Sequence, residues 1–128
     1  MPTFSALAND LGYENVVLEQ LANFVRRDDV VIAISASGNS PNILRAVEFA
    51  RACGALTIGW SGFNGGKLAQ LVDVAVVIHN NCMEQIEDIH LMLEHMTIVA
   101  LRALLQKDIE RQHHGSNGVK ATYAGVAS

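Results

Sequence analysis

The chain has 128 residues, half of them hydrophobic, and a formal net charge of −4 at pH 7. This length suits one domain with a substantial core. No apolar run approaches the ~18 residues that a membrane-spanning helix needs, and the start shows no charged segment with a leader cleavage site. An acidic balance without basic clusters argues against nucleic acid as the main partner. We therefore expect no membrane or nucleic-acid partner.

The two cysteines, Cys53 and Cys82, are far apart and form no C-x-x-C motif. Such isolated cysteines are typical of reduced thiols in a protein of the cytoplasm. We therefore expect a cytoplasmic location.

Apolar spacing predicts helices that alternate with short buried strands. Glu14–Val25 has apolar residues at the spacing of one helix face, and Val30–Ile34 is a continuous apolar run that is mostly β-branched. Alternating helices and strands predict a three-layer α/β/α sandwich around a parallel sheet with right-handed crossovers. The further elements expected in chain order are a helix from Pro41 to Cys53, a strand over Ala55–Trp60, a short helix over Lys67–Leu71, a strand over Val74–Ile78 and a long helix over about Met83–Lys107.

The strand over Val30–Ile34 is apolar on both sides, which is typical of the middle of a parallel sheet. Only two other convincing strands occur in the chain, so one apolar sheet edge is expected to be bare. Exposed apolar edges promote pairing with another chain or aggregation. We therefore expect the polypeptide alone to be marginally stable or obligately oligomeric.

The turn after that strand contains Ser35, Ser37 and Ser40 around Gly38-Asn39, and Pro41 opens the next helix. An isolated S-G-N-S segment is explained equally well as a simple turn. Three serines at a strand-to-helix junction favour anion binding, because unpaired backbone N–H groups and the helix dipole attract negative charge there. The turn contains no Lys and matches neither nucleotide-binding glycine motif, so a phosphomonoester such as a sugar phosphate fits best.

The long C-terminal helix has the densest cluster of titratable groups. On a helical wheel, Glu84, Glu87, Asp88 and His95 fall within roughly 100° of one another, whereas His90 lies on the other side of Glu87. A solvated acidic face explains Glu84 and Asp88 without any function. His95 stands in an apolar stretch, where an imidazole needs a partner or a role.

Three segments follow one another along the chain: Ile34–Asn42, Thr57–Leu68 and Gln85–His90. In this order they resemble the sugar isomerase (SIS) domain family, and within it the phosphoheptose isomerases. Asn9–Tyr13 also resembles a short motif of that family, and the resemblance covers about residues 5–106. It implies a flavodoxin-like sheet and the isomerisation of sedoheptulose 7-phosphate to D-glycero-D-manno-heptose 7-phosphate through an enediol.

The resemblance also implies roles for individual residues. His95 matches a histidine that acts as acid or base, and His90 matches a family histidine of less certain role. Glu87 stands where many members have Gln, which in some binds substrate or zinc together with that histidine. Glu87 and His95 are thus the expected ligands of a possible zinc ion, although a zinc site needs at least three ligands from protein. The expected substrate contacts are Asp10, Ser35, Ser37, Asn39, Ser40, Glu84 and Glu87.

The chain departs from this family at its start. Members begin with a helical segment, a strand, a G-N-G-G-S loop and a helix with the catalytic glutamate, and none of these precedes Asp10. We therefore expect an N-terminally truncated member, with a partial SIS domain over residues 1–107 and a disordered tail over 108–128. The resemblance implies a homo-oligomer, commonly a tetramer. The alternative function is a non-catalytic SIS module that binds a phosphosugar or a protein partner such as the bacterial replication initiator.

Overall fold

The computed structural model describes residues 2–122, with side chains for residues 3–112. It divides into two compact units, residues 1–90 and residues 91–128. The first unit contains the sheet. Its elements are α1 (Pro2–Leu11), a 3-10 turn (Tyr13–Asn15), α2 (Val16–Leu21), β1 (Val30–Ser35), α3 (Pro41–Ala52), β2 (Leu56–Gly62), α4 (Leu68–Leu71), β3 (Val74–Ile78) and the first turns of α5 (Met83–Thr122).

All three strands are parallel, in the order β1-β2-β3. The register places Ser35 beside Ser61 and Ile34 beside Trp60, and β2 continues the alignment with Gly62 beside Ile78. The predicted α/β architecture with a parallel sheet is confirmed. Because the strands are parallel, the turns after β1 and β2 lie at the same edge of the sheet.

One face of the sheet holds the main core. Ala33, Val47 and Leu68 are buried together there, so α3 and α4 pack against this face through the apolar positions that the sequence spacing indicates. Gly59 allows this close approach, since a Cβ at Gly59 would lie 3.0 Å from side-chain atoms of Leu68 and Val72. Partly buried side chains that complete the core are Ile43, Leu44, Leu71 and Val72.

The opposite face of the sheet is covered only in part by the described residues. Ile86, in the first turns of α5, is fully buried, and a Cβ added at Gly62 would collide with its side chain. Next to it, the rings of Trp60 and His90 lie 6.5 Å apart between centroids. Large apolar side chains of this face that are exposed are Val30, Ile32, Ile34, Leu56 and Val74.

The edge position of β1 corrects one expectation and confirms another. β1 pairs only with β2, and Val30, Ile32 and Ile34 are exposed, so within the described residues this strand is not buried on both faces as its sequence predicts. In the part of the chain that the structure describes, the expected bare apolar edge is present. The physical reason is that no described element packs over that side of the strand.

Two helix boundaries differ from the predictions. A 3-10 turn and the shorter α2 replace the single helix expected over Glu14–Val25. The last helix continues to Thr122 instead of ending near Lys107. In its added first turn, Arg111 lies 3.9 Å from Asp108, a pair spaced as neighbours on a helix surface. Of the tail predicted over 108–128, residues 108–122 therefore belong to this helix, and residues 123–128 lie outside the described part of the chain.

The second unit, within the described residues, is a helical segment with apolar side chains on most of its sides. A helix that is hydrophobic all round is normally buried by other elements. None of the helices that the structure describes is both long and apolar enough to cross a membrane. Exposed large apolar residues of this segment are Leu91, Met92, Met96, Ile98, Val99, Leu101, Leu104, Leu105 and Ile109.

Candidate functional site

The turn between β1 and α3, which we call the serine loop (Ser35–Ser40), brings two of its three hydroxyls into contact. The Ser35 hydroxyl donates to the Ser40 hydroxyl at 3.1 Å, and Ser35 is buried whereas Ser40 is half-buried. The backbone N–H of Asn39 donates to the Ser37 hydroxyl at 3.2 Å. In this arrangement the hydroxyl protons of Ser37 and Ser40 can each be donated to an oxygen of an anion.

Ser40 occupies the N-cap position of α3, and Pro41 is the first helical residue, as the sequence predicts. The Ser40 side chain makes no capping hydrogen bond, because its hydroxyl is engaged with Ser35 instead. The start of this 12-residue helix therefore keeps its positive dipole end uncapped by that side chain. Such an end favours an anion, and the serine hydroxyls stand around it.

A second turn, the glycine loop (Gly62–Lys67), packs directly on the serine loop. The Gly62 N–H donates to the Ala36 carbonyl at 2.8 Å, and the Leu68 N–H donates to the Gly38 carbonyl at 2.9 Å. Gly38 and Gly66 both have positive φ, and a side chain at either one would run into the backbone of the other loop. This requires glycine at both positions.

Asn39 joins the two loops through its side chain. Its Oδ1 accepts a hydrogen bond from the Lys67 backbone N–H at 3.1 Å, and its Nδ2 donates to the Ser37 carbonyl at 2.9 Å. The sequence pattern did not indicate this contact, since the two residues are 28 positions apart. The repeated glycines after β2 were the one signal of a close loop approach.

Ser61 is a further hydroxyl at this edge of the sheet that the sequence argument did not single out. It pairs in register with Ser35, is fully buried, and its Oγ has no hydrogen-bond partner among the described residues. A buried hydroxyl without a partner is uncommon and costs stability.

The acidic residues predicted at the site are exposed in this structure. Glu84 accepts a hydrogen bond from the Cys82 thiol at 3.2 Å. Its own backbone N–H, and then that thiol, lower the pKa of Glu84 below the ordinary value, so it is ionised at neutral pH. Glu87 and Asp88 are exposed on the same helix, as a solvated face would be. Asp10 lies in α1, where its carboxylate accepts from the Asn9 side chain at 2.9 Å.

The two histidines of α5 differ in burial. His90 is buried against Trp60, and its Nε2 has no partner among the described residues. His95 belongs to the second unit and is exposed, beside Met96, Val99 and Ala100 in a shallow apolar cavity. The predicted need of an imidazole for a partner thus applies to His90 rather than to His95.

The described residues do not form a metal site. No group of three or more His, Cys, Asp or Glu side chains gathers closely enough among them to hold an ion. Glu87 and His95, the predicted zinc ligands, are two residues and are both exposed. Since a zinc site needs at least three protein ligands, this part of the chain does not fit the metal by itself.

Sequence comparisons show which known proteins this chain resembles. A family model described as SIS domain matches residues 1–62, which include the serine loop. The phosphoheptose isomerase of Aliarcobacter butzleri is 38% identical over 91 residues, which are 71% of this chain and 48% of that protein. The phosphoheptose isomerase of Fusobacterium nucleatum is 35% identical over 101 residues, 79% of this chain and 52% of that protein. The chain is therefore similar to the SIS domain family over residues 1–62 and to phosphoheptose isomerases over most of its length.

Solved structures of two phosphoheptose isomerases show the same fold. A phosphoheptose isomerase from Neisseria gonorrhoeae has a TM-score of 0.73 and 31% identity, over 75% of this chain and 54% of that one. A phosphoheptose isomerase from Francisella tularensis has a TM-score of 0.71 and 28% identity, over 74% of this chain and 51% of that one. The chain therefore spans about half the length of the relatives that it matches.

Proposed function

We propose that this chain takes part in sugar-phosphate isomerisation, converting sedoheptulose 7-phosphate to D-glycero-D-manno-heptose 7-phosphate. The observation that carries the proposal is the serine loop at the start of α3, which lies within the segment matched by the SIS family model. Relatives named phosphoheptose isomerase, 35–39% identical to the chain, support the choice of substrate. The three serines and the helix start would hold the phosphate of the sugar.

The proposed chemistry moves protons between neighbouring atoms of the sugar. A base removes a proton from the hydroxymethyl carbon beside the ketone, and the resulting enediol takes a proton at the former carbonyl carbon. The remaining hydroxyl proton moves from one oxygen to the other. His95 is the proposed acid or base, with Asp10, Glu84 and Glu87 beside the sugar. The proposal assigns no cofactor, and no step depends on zinc.

The proposal includes a homo-oligomer, a tetramer by family resemblance, in the cytoplasm. The exposed apolar side chains of β1 and of α5 support association, because monomeric proteins rarely leave such surfaces in water. The two cysteines are free thiols, which suits a reducing compartment. The phosphorylated sugar is the proposed small-molecule partner.

Binding of sedoheptulose 7-phosphate to the 128-residue chain tests the phosphate assignment. We expect saturable binding in an isothermal titration and weaker binding, by roughly tenfold, for Ser37→Ala, because one hydrogen bond to a charged oxygen is lost. Ser5→Ala in α1 is the matched control and should bind as the wild type does. Equal binding of unphosphorylated sedoheptulose, or none of the phosphate ester, would overturn the assignment.

Turnover is tested separately by following the aldose phosphate in the proton NMR spectrum. We expect His95→Ala to abolish any conversion that the wild type shows while leaving the affinity for sedoheptulose 7-phosphate unchanged. Binding without turnover in the assembled protein would contradict the isomerase and support the non-catalytic binding module.

A further inference from the structure

We infer that Asn39 is a positioning residue, which holds the serine loop in its phosphate-binding shape by clasping it to the glycine loop. This inference rests on the proposed function of the serine loop. It assigns Asn39 a role different from the direct substrate contact that the sequence suggests. The clasp consists of the two side-chain hydrogen bonds of Asn39, from the Lys67 N–H and to the Ser37 carbonyl.

The polar atoms of the Asn39 side chain are already directed to protein groups. Oδ1 receives the Lys67 N–H from the other loop, and Nδ2 is donated to the Ser37 carbonyl within its own loop. A planar amide supplies one acceptor and one donor in this geometry, whereas an ionised Asp supplies acceptors only. Asparagine therefore connects a donor on one loop with an acceptor on the other, which few side chains of this size can do.

The clasp controls Ser37 from two sides. The Asn39 side chain holds the Ser37 carbonyl, while the Asn39 backbone N–H donates to the Ser37 hydroxyl at 3.2 Å. With both atoms fixed, the remaining proton of the Ser37 hydroxyl has few directions left, and it can point to the anion at the start of α3. Fixing a binding group before the ligand arrives lowers the entropy lost on binding.

Loss of the side-chain clasp should leave the fold intact. The backbone bonds from Gly62 N–H to Ala36 and from Leu68 N–H to Gly38 still join the two loops in any Asn39 variant. Asn39 itself is exposed, so its truncation leaves no buried cavity. The expected effect is a smaller fraction of molecules with a competent serine loop, which weakens apparent affinity in proportion.

The experiment titrates the 128-residue chain with sedoheptulose 7-phosphate and follows backbone amides by NMR in the wild type, Asn39→Ala and Asn64→Ala. Asn64 is the matched control, because its Oδ1 accepts from the Gly66 N–H inside the glycine loop and does not reach the serine loop. We expect affinity about tenfold weaker for Asn39→Ala, as two hydrogen bonds of ordinary strength are removed. Affinity should be unchanged for Asn64→Ala.

Two further readouts separate positioning from the other roles. At saturating ligand, the amide shifts of Ser37 and Ser40 in Asn39→Ala should reach the bound values of the wild type, because the binding groups themselves are intact. Hydrogen exchange of the Lys67 amide should accelerate in Asn39→Ala before ligand is added, while the thermal midpoint stays that of the wild type within a few degrees.

Unchanged affinity in Asn39→Ala would overturn the positioning role. Weakened affinity with an unchanged Lys67 amide would also overturn it, and would make Asn39 a direct ligand contact. The thermal midpoint of Asn39→Ala could also fall strongly while its affinity returns to the wild-type value on cooling. Asn39 would then stabilise the fold without positioning the serine loop. If the wild type binds no phosphate ester, the proposed function of the loop fails first, and that result is visible without any variant.

Discussion

Thr57 and Asp73 bind each other reciprocally at the amino-terminal ends of β2 and β3. The Asp73 carboxylate accepts from the Thr57 N–H at 2.8 Å and from the Thr57 hydroxyl at 2.7 Å, and the Asp73 N–H donates back to that hydroxyl at 3.1 Å. Arg51 stands 4.0 Å from the same carboxylate and also donates to the Leu71 carbonyl at 2.5 Å. This cluster fixes the end of the sheet opposite the serine loop.

The stability of the chain should therefore fall in acid through Asp73. The backbone N–H of Thr57, and then its hydroxyl, hold the pKa of Asp73 below its ordinary value of 3.8. A carboxyl whose pKa is lower in the folded state stabilises the fold above the unfolded-state pKa, and this contribution is lost as pH falls through the folded-state pKa. We expect the thermal midpoint to decrease as pH is lowered from about 5 towards 3.

Asp73→Asn isolates this contribution. The variant should be less stable than the wild type at pH 7, and its midpoint should change less between about pH 5 and pH 3, because the titrating group is gone. Asp88→Asn, which removes an exposed carboxylate of α5, is the control and should keep the pH profile of the wild type. Parallel profiles for Asp73→Asn and the wild type would contradict the role of Asp73. Thermal unfolding followed by circular dichroism is the measurement.

Gly38→Ala should damage both the serine loop and phosphate binding. Gly38 has φ +64°, and a Cβ there would overlap the Gly65 carbonyl oxygen, which is backbone and cannot rotate away. We expect a loss of about 1–3 kcal/mol of unfolding free energy in urea titrations, the usual cost of a strained backbone position. Sedoheptulose 7-phosphate binding should be lost or reduced more than in Ser37→Ala.

Gly54→Ala is the matched control for Gly38→Ala. Gly54 also has positive φ, +83°, but it follows α3 far from the serine loop, and a Cβ there meets the flexible Arg27 side chain at 3.2 Å. This variant should lose stability to a similar extent and bind the phosphate ester normally. Normal binding by Gly38→Ala would show that the two loops tolerate separation.

Two buried hydroxyls on the same face of β2 should respond oppositely to removal. Thr57 and Ser61 are both fully buried, but Thr57 is bonded to Asp73, whereas the Ser61 Oγ has no partner among the described residues. Thr57→Val should cost about 1–3 kcal/mol because Asp73 loses both of its hydrogen bonds to the Thr57 hydroxyl, one of which is accepted by a charged carboxylate, while its bonds to the Thr57 backbone remain. Ser61→Ala should be neutral or stabilise by up to about 1 kcal/mol, since an unpaired buried hydroxyl is removed. The measurement is the unfolding free energy of each variant from urea titrations. If Ser61→Ala lost as much stability as Thr57→Val, the Ser61 hydroxyl would have a partner outside the described residues.

Local sequence signals were sufficient for the elements that frame the site. The strand at Val74–Ile78 is found where predicted, because an apolar run of mostly β-branched residues bounded by polar residues favours extended backbone. Pro41 marks the start of α3, and Gly54, with positive φ, follows its end, as capping preferences predict. These boundaries place the serine loop, and they depend only on neighbouring residues.

Contacts between distant residues could not be predicted in the same way. The Asn39–Lys67 clasp depends on how two loops meet, and the burial of His90 rather than His95 depends on Trp60 packing against α5. A helical wheel orders side chains around one helix but does not say which side another element covers. α5 continues beyond Lys107, where the sequence predicts a tail, since the last turns of a helix are the part that local residue types define least well.

The bare face of β1 leads to the last prediction, which concerns association. Val30, Ile32 and Ile34 are 56%, 38% and 43% exposed on an edge strand, and unpaired apolar edges join readily to other chains. We expect sedimentation velocity at micromolar concentration to show species larger than the 13.8 kDa monomer. Ile32→Lys should shift the distribution towards monomer by at least tenfold in dissociation constant, because burying one isoleucine contributes about 1.5–3 kcal/mol and 1.4 kcal/mol is tenfold.

Gln70→Lys in α4 adds the same charge at an exposed position away from β1, so it separates the lost apolar contact from the added charge. It should sediment as the wild type does. A stable monomer in the wild type, with a cooperative unfolding transition that does not depend on protein concentration, would contradict the prediction. That result would mean that β1 is protected without a partner, since association makes apparent stability depend on concentration.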